Sequence, residues 1–234
     1  NGKVPVFAGL GENNYNLSRI LLKSYLELGC KEVLFQIPFE NDNQFKSWFL
    51  KLAELNPKVI MLQDWNVSGY GLPDSLIIEL FEQVEAFRCL KIEIIPAGIK
   101  YSRILELTDN RLHVSGGWAV TQMIEGLMRG VHAFMPTAMH WIYTEVYRLW
   151  SIGKEDRATD LFNKILPVLA FSNQHLDISI HFFKRLLHRQ GIYITNKVRD
   201  PIIPYDNIHQ QIADILIDKV IELENKLKYV KNRS

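Results

Sequence analysis

The hydrophobic and polar positions alternate between two periods along most of the chain. Short apolar or β-branched runs at Val4–Leu10, Glu32–Ile37, Val59–Gln63, Leu90–Ile95, Leu112–Ser115 and His132–Met135 predict strands. Between them, three-to-four spacing of apolar residues predicts helices over Leu17–Leu28, Asn43–Leu55, Pro73–Val84, Ile99–Leu107 and Trp118–Arg129. Gly29 stops the first helix, and Pro73 suits a first-turn position in the third. Strands and helices taking turns in this way predict an α/β fold of parallel strands joined by helical crossovers. From Met139 onward the pattern is almost wholly helical, with predicted helices over Met139–Ile152, Lys154–Ser172, Ile178–Gln190 and Asn207–Tyr229. In the last of these, Ile208, Ile212, Ile215, Leu216, Val220, Leu223 and Leu227 make one apolar stripe, which predicts core or oligomer packing.

The chain has 234 residues, 47% of them hydrophobic and 23% charged, which suits a soluble globular protein. A formal net charge of +1 gives no electrostatic case for nucleic acid or an anionic membrane. No apolar run approaches the ~20 residues that span a bilayer. Cys30 and Cys89 make neither a disulfide framework nor a metal motif, so a reducing, cytoplasmic setting is expected. The seven histidines form no metal-ligand pattern, and neither a metal nor a cofactor is expected. The abrupt start suggests a missing preceding segment.

Lys91 is the residue that stands out. It lies inside the strand Cys89-Leu90-Lys91-Ile92-Glu93-Ile94-Ile95, where a lysine is costly unless it is paired or used. Alternation puts Cys89, Lys91 and Glu93 on one face and the apolar residues on the other. A lysine desolvated at the mouth of a parallel barrel can lose its proton and attack a carbonyl. The competing readings are a structural Lys91–Glu93 ion pair and a lysine that snorkels out at a strand end. Strand ends also offer Glu40, Gln63 and Asp64, which would converge on one mouth or serve only as caps and turns. Ser115-Gly116-Gly117, leading from a strand into a helix, could present backbone N–H groups to an anion, or simply form a tight turn. Gly9-Leu10-Gly11 begins like a dinucleotide fingerprint but has Asn14 where the third glycine belongs, which excludes a nicotinamide site.

Phe7-Ala8-Gly9-Leu10-Gly11, the Cys89-Leu90-Lys91 strand, Val114-Ser115-Gly116-Gly117 and Gly130-Val131-His132-Ala133-Phe134-Met135 occur in an order and spacing that resemble the dihydrodipicolinate synthase / N-acetylneuraminate lyase family. The resemblance covers essentially the whole chain. It implies a (β/α)8 TIM barrel with a helical C-terminal extension, in a homodimer or homotetramer. Residues 1–138 would be barrel strands three to eight with their helices, and 139–234 the last barrel helix and the C-terminal domain, the first two βα units having no counterpart. Lys91 would form a Schiff base with pyruvate or another 2-oxo acid, with Ser115, Gly116, Gly117 and the Met135 backbone near the bound acid. The chain departs from the family at its proton-shuttling tyrosines: Gln63 and then Asp64 stand at one position and Phe39-Glu40 at the other. Proton transfer would then fall to Glu40, Asp64 or Glu93, with Tyr70 a weaker substitute, so a divergent member is expected. Two alternatives stay open: a catalytically silent barrel that binds or assembles, and a sugar-acid dehydratase using the same lysine.

Overall fold

The computed structural model describes residues 4–66 and 68–231, which divide into two compact units, Asn1–Met135 and Pro136–Ser234. The first unit runs β1 (Ala8–Leu10), α1 (Tyr15–Glu27), β2 (Glu32–Phe35), α2 (Asp42–Ala53), β3 (Val59–Asn66), α3 (Asp74–Gln83), β4 (Phe87–Ile94), α4 (Gly98–Leu107), β5 (His113–Gly116), α5 (Met123–Met128) and β6 (Ala133–Phe134). The strands form one parallel sheet in the order β1-β2-β3-β4-β5-β6. It is a barrel wall that does not close, because β1 and β6 remain its two edges.

The two faces of this sheet differ in chemistry. Val33, Phe35, Ile60, Leu62, Leu90, Ile92, Ile94 and Val114 point outward and pack under the helices with Phe45, Phe49, Leu76, Ile77, Leu80 and Ile104. At its centre Phe49 meets Phe35 at 5.6 Å and Phe87 at 5.4 Å between ring centroids. The inner face carries Leu34, Met61, Gln63, Cys89, Lys91, Glu93, His113 and Ser115. Most of these are only half-buried. The strict two-residue alternation of β4, with Leu90, Ile92 and Ile94 outward and Cys89, Lys91 and Glu93 inward, marks the boundary between core and site.

Several boundaries differ from expectation for identifiable reasons. Residue Asn14 accepts N–H bonds from Asn16 and Leu17, so α1 starts two residues before the predicted Leu17. Pro73 is the N-cap of α3 rather than part of its first turn. The first strand is shorter than predicted, and Val4 and Val6 are exposed. The predicted helix Trp118–Arg129 is instead a single 3₁₀ turn, Trp118–Val120, followed by α5. Trp118 and Val120 have φ of +49° and +63°, left-handed values that no α-helix accommodates.

The second unit consists of α6 (His140–Ser151), α7 (Glu155–Asn163), α8 (Leu166–Ser172), α9 (Leu176–Arg189) and α10 (Asn207–Lys231). The single helix predicted over Lys154–Ser172 breaks into α7 and α8, where Pro167 occupies a first-turn position that needs no N–H. The apolar stripe predicted on α10 divides. Leu216 and Val220 are buried with Ala213 and Ile217, while Ile208, Ile212 and Ile215 are exposed. Among the described residues no helix is long and apolar enough to cross a membrane.

Candidate active site

Strand register assembles the site on the inner face. Lys91 lies level with Gln63 on β3 and Ser115 on β5, and Glu93 lies level with Trp65. The Lys91 Nζ is 3.1 Å from Glu93 Oε1, and their side chains are 16% and 15% exposed, so the pair is sheltered yet reachable. Gln63 Nε2 donates to Glu93 Oε2. The Trp118 backbone N–H donates to Glu93 Oε1 at 3.3 Å. The carboxylate is therefore oriented from both sides, by an amide and by a peptide N–H, while Lys91 faces it from below.

This geometry revises the Ser115-Gly116-Gly117 expectation. The N–H at the turn meets the protein's own Glu93 carboxylate rather than open space. Glycine is required at 117 for that reason: a Cβ there would lie 1.8 Å from Glu93 Cγ. Gly116 faces the helix layer, where a Cβ would strike the Phe134 ring at 2.7 Å and the Tyr101 hydroxyl at 2.8 Å. Ser115 is fully buried beside Lys91, and its Oγ donates to the Leu90 carbonyl at 3.4 Å. Met135 follows β6, with its N–H donating to the Gly116 carbonyl at 3.3 Å and its side chain exposed.

Two expected acids lie away from Lys91. Glu40 is exposed on the β2–α2 loop, its N–H bonded to Gln44 Oε1 at 3.4 Å. Asp64 turns outward because neighbours in a strand point to opposite faces, so it cannot join Gln63 in the interior. Strand β3 also runs on to Asn66, so Asp64 sits within the strand rather than in the loop after it. There it forms a fully buried ion pair with Lys100 of α4. Burial pushes the Asp64 carboxyl above its ordinary range and the Lys100 ammonium below its own, each opposed by the partner's charge. Tyr70 is turned the same way. Its ring covers Lys100 Nζ at 4.6 Å and its hydroxyl donates to Asp74. Burial and Asp74 push that hydroxyl up to about 12, which suits it poorly to shuttling protons.

Lys100 was not among the candidates expected from sequence. Its helical spacing to Ile104 and Thr108, both buried, was the available signal. Gln36 was missed as well: its Oε1 would lie 3.0 Å from a Cβ on Gly11, so it reaches over the end of β1. A cleft of about 440 Å³ opens at the C-terminal ends of β2 and β3, lined by Asn13, Gln36, Phe39, Gln63, Trp65 and Asn66 among others. Gln63 joins this cleft to the Lys91–Glu93 pair. A larger hollow of about 580 Å³, around Ala53, Pro57, Ala86 and Arg88, lies at the opposite end of the strands. Parallel barrels place chemistry at the C-terminal end, which favours the smaller cleft.

Below Lys91 the inner face is less reactive. Burial pushes the Cys89 thiol up. His113 stacks on His132 at 4.9 Å, and burial together with that neighbour holds its pKa below the ordinary value. Among the described residues no group of three His, Cys, Asp or Glu could hold a metal ion.

Comparison with known proteins adds an independent line. The sequence model of the Dihydrodipicolinate synthetase family matches residues 1–219. The chain is 24% identical to 4-hydroxy-tetrahydrodipicolinate synthase 2 of Halalkalibacterium halodurans, over 94% of this chain and 76% of that protein. It is 26% identical to 4-hydroxy-tetrahydrodipicolinate synthase of Oceanobacillus iheyensis, over 93% of this chain and 75% of that one. Among solved structures, dihydrodipicolinate synthase from Rhodopseudomonas palustris superposes with a TM-score of 0.83 at 19% identity, covering 93% of this chain and 75% of the other. N-acetylneuraminate lyase from Fusobacterium nucleatum superposes with a TM-score of 0.79 at 16% identity, covering 94% and 75%.

Proposed function

Since the chain belongs to the dihydrodipicolinate synthetase family, we propose that it is a class I aldolase-type lyase or synthase in which Lys91 forms a Schiff base with pyruvate or another 2-oxo acid. The observation that carries this reading is the sheltered Lys91–Glu93 pair on the inner face of β4, 3.1 Å apart. Glu93 takes a proton from the Lys91 ammonium, and the free amine attacks the 2-oxo carbon. Glu93 then returns the proton to the departing hydroxyl, so that ammonium and carbonyl become a protonated imine and water. The imine draws electrons from the adjacent carbon, and the same carboxylate, aimed by Gln63 and the Trp118 N–H, removes that carbon's proton. Glu93 thus takes the role that the family's tyrosines leave vacant, in preference to Asp64 and Glu40. Ser115 and the backbone at Gly117 and Met135 border the place of the bound acid. Dehydration of a sugar acid would share every step up to the imine.

Cys30 and Cys89 are unpaired, which fits a reducing, cytoplasmic setting, and a homodimer or homotetramer is the assembly the family resemblance suggests. A second reading has one specific observation in its favour. Glu93 already has three protein partners, which is also what a purely structural ion pair would show. On that reading the chain is a silent barrel that binds or assembles.

Incubation with pyruvate and borohydride, followed by peptide mass spectrometry, separates the two. The Schiff-base reading expects a reduced pyruvate adduct on Lys91, absent from the Lys91→Ala variant. Its absence from the unaltered protein with pyruvate and with longer 2-oxo acids would move the silent-barrel reading ahead.

A further inference from the structure

On the outer side of β3 the sequence has put an ion pair where a parallel barrel ordinarily has Leu or Val. Lys100 and Asp64 are 0% and 1% exposed, and isolated charges so deep are costly unless every donor and acceptor is used. Here Lys100 meets Asp64 Oδ2 directly, and the pair's other hydrogen bonds go to one short segment. Lys100 Nζ donates to the Tyr70 carbonyl at 2.9 Å and to the Leu72 carbonyl at 2.6 Å. Asp64 Oδ1 accepts the Leu72 N–H at 2.8 Å. The Tyr70 ring closes over the ammonium. Gly71, at φ +78°, lies directly on the carboxylate, where a Cβ would come within 2.2 Å of Asp64 Oδ1. Two carbonyls and one N–H of a three-residue segment are thus tied to a single buried pair. Gly71 and Leu72 of that segment, with Ser68 and the Asp64 they pack on, form one wall of the cleft that adjoins Gln63.

We propose that the Asp64–Lys100 pair is a positioning clamp that fixes the loop 68–72 as a wall of the cleft and so sets affinity for the part of a substrate that extends beyond its 2-oxo acid head. The consequence for affinity rests on the Schiff-base reading above; the clamp itself does not. Asp64 and Lys100 act through the loop and do not touch the reacting atoms, because they lie on the opposite face of the sheet from Lys91. The amide and hydroxyl groups of Asn13, Gln36, Asn66 and Ser68 around the cleft suit a chain bearing hydroxyls.

The test uses two variants that reach the loop from different sides, Lys100→Met and Gly71→Ala. Borohydride trapping at Lys91 is titrated with pyruvate, which reaches only the lysine, and with a six-carbon 3-deoxy-2-oxo sugar acid. In both variants the half-saturating concentration of the longer acid is expected to rise by about tenfold to a hundredfold. Values for pyruvate, and the limiting trapping rates, are expected to stay as they were. Hydrogen exchange in the peptide spanning residues 68–72 is expected to speed up while β4 peptides keep their protection. Equal shifts for both acids would mean a general loss of structure and would overturn the proposal, as would unchanged exchange in the loop or no shift for either acid. If the unaltered protein traps neither acid, the Schiff-base reading fails, and the exchange measurement alone decides the clamp.

Discussion

Substituting Gly117 by alanine tests the central geometry without replacing any charged residue. The φ of −112° at Gly117 lies outside the left-handed region that favours glycine, so the effect should come from the added methyl. That carbon would sit 1.8 Å from Glu93 Cγ, 2.4 Å from Cδ and 2.5 Å from Oε1. Carbon atoms pack no closer than about 3.5 Å, so the Glu93 side chain must swing away. In doing so it gives up the Lys91 Nζ at 3.1 Å, the Trp118 N–H at 3.3 Å and the Gln63 amide. A hydrogen bond to a charged group is worth about 1.5–3 kcal/mol net. Water reaching this half-open face replaces part of each, which leaves a total of roughly 2–3 kcal/mol. Urea unfolding followed by circular dichroism measures the loss, and a double-mutant cycle assigns it. In a Glu93→Ala background the obstructing side chain is gone, so Gly117→Ala should cost little, with a coupling energy of about 2 kcal/mol. Costs that add to within about 0.5 kcal/mol would refute the reasoning, because the alanine would then be acting somewhere other than on Glu93.

Glu93→Gln keeps the shape of the site but removes its proton carrier. Deuterium exchange at the pyruvate methyl group, followed by NMR, should slow by about 10²–10⁴-fold, and an unaffected rate would take Glu93 out of the proposed mechanism. Phe49→Ala removes the ring between Phe35 and Phe87 and should cost about 3–5 kcal/mol of stability in the same urea assay, against a small effect for an exposed residue such as Tyr229. His113 has its pKa held below the ordinary 6.5 by burial and then by His132. The unfolded chain therefore binds this proton first, so its contribution is complete above about pH 6.5 and is lost as pH falls below it. Melting temperatures between about pH 5 and 7.5 should show this decline, flattened in His113→Asn; identical slopes would remove His113 as the cause.

The alternation of two periods was enough to announce parallel strands under helices, and a helical second unit, because burial of apolar faces is a local property of each segment. The Cys89–Glu93 strand shows its two-faced character directly, and with it Lys91 and Glu93 on one side. The same rule, applied to Gln63-Asp64, turns the two side chains to opposite faces, although both residues border the cleft at the end of β3. What sequence did not carry were the contacts made across strands and between distant turns. That Glu93 would be held by Gln63 and by a Trp118 N–H depends on the register of β3, β4 and β5 and on a left-handed turn at Trp118. That Asp64 would find Lys100 depends on how α4 lies over β3. Helical spacing to Ile104 and Thr108 is a local sign that Lys100 faces inward, but nothing local says which carboxylate or which loop it will meet. Alternation and amphipathic spacing constrain each element's own faces, whereas register and helix packing decide which faces touch. The composition of this barrel wall was therefore written in the chain, and the wiring of its acids and amines was settled only by the fold.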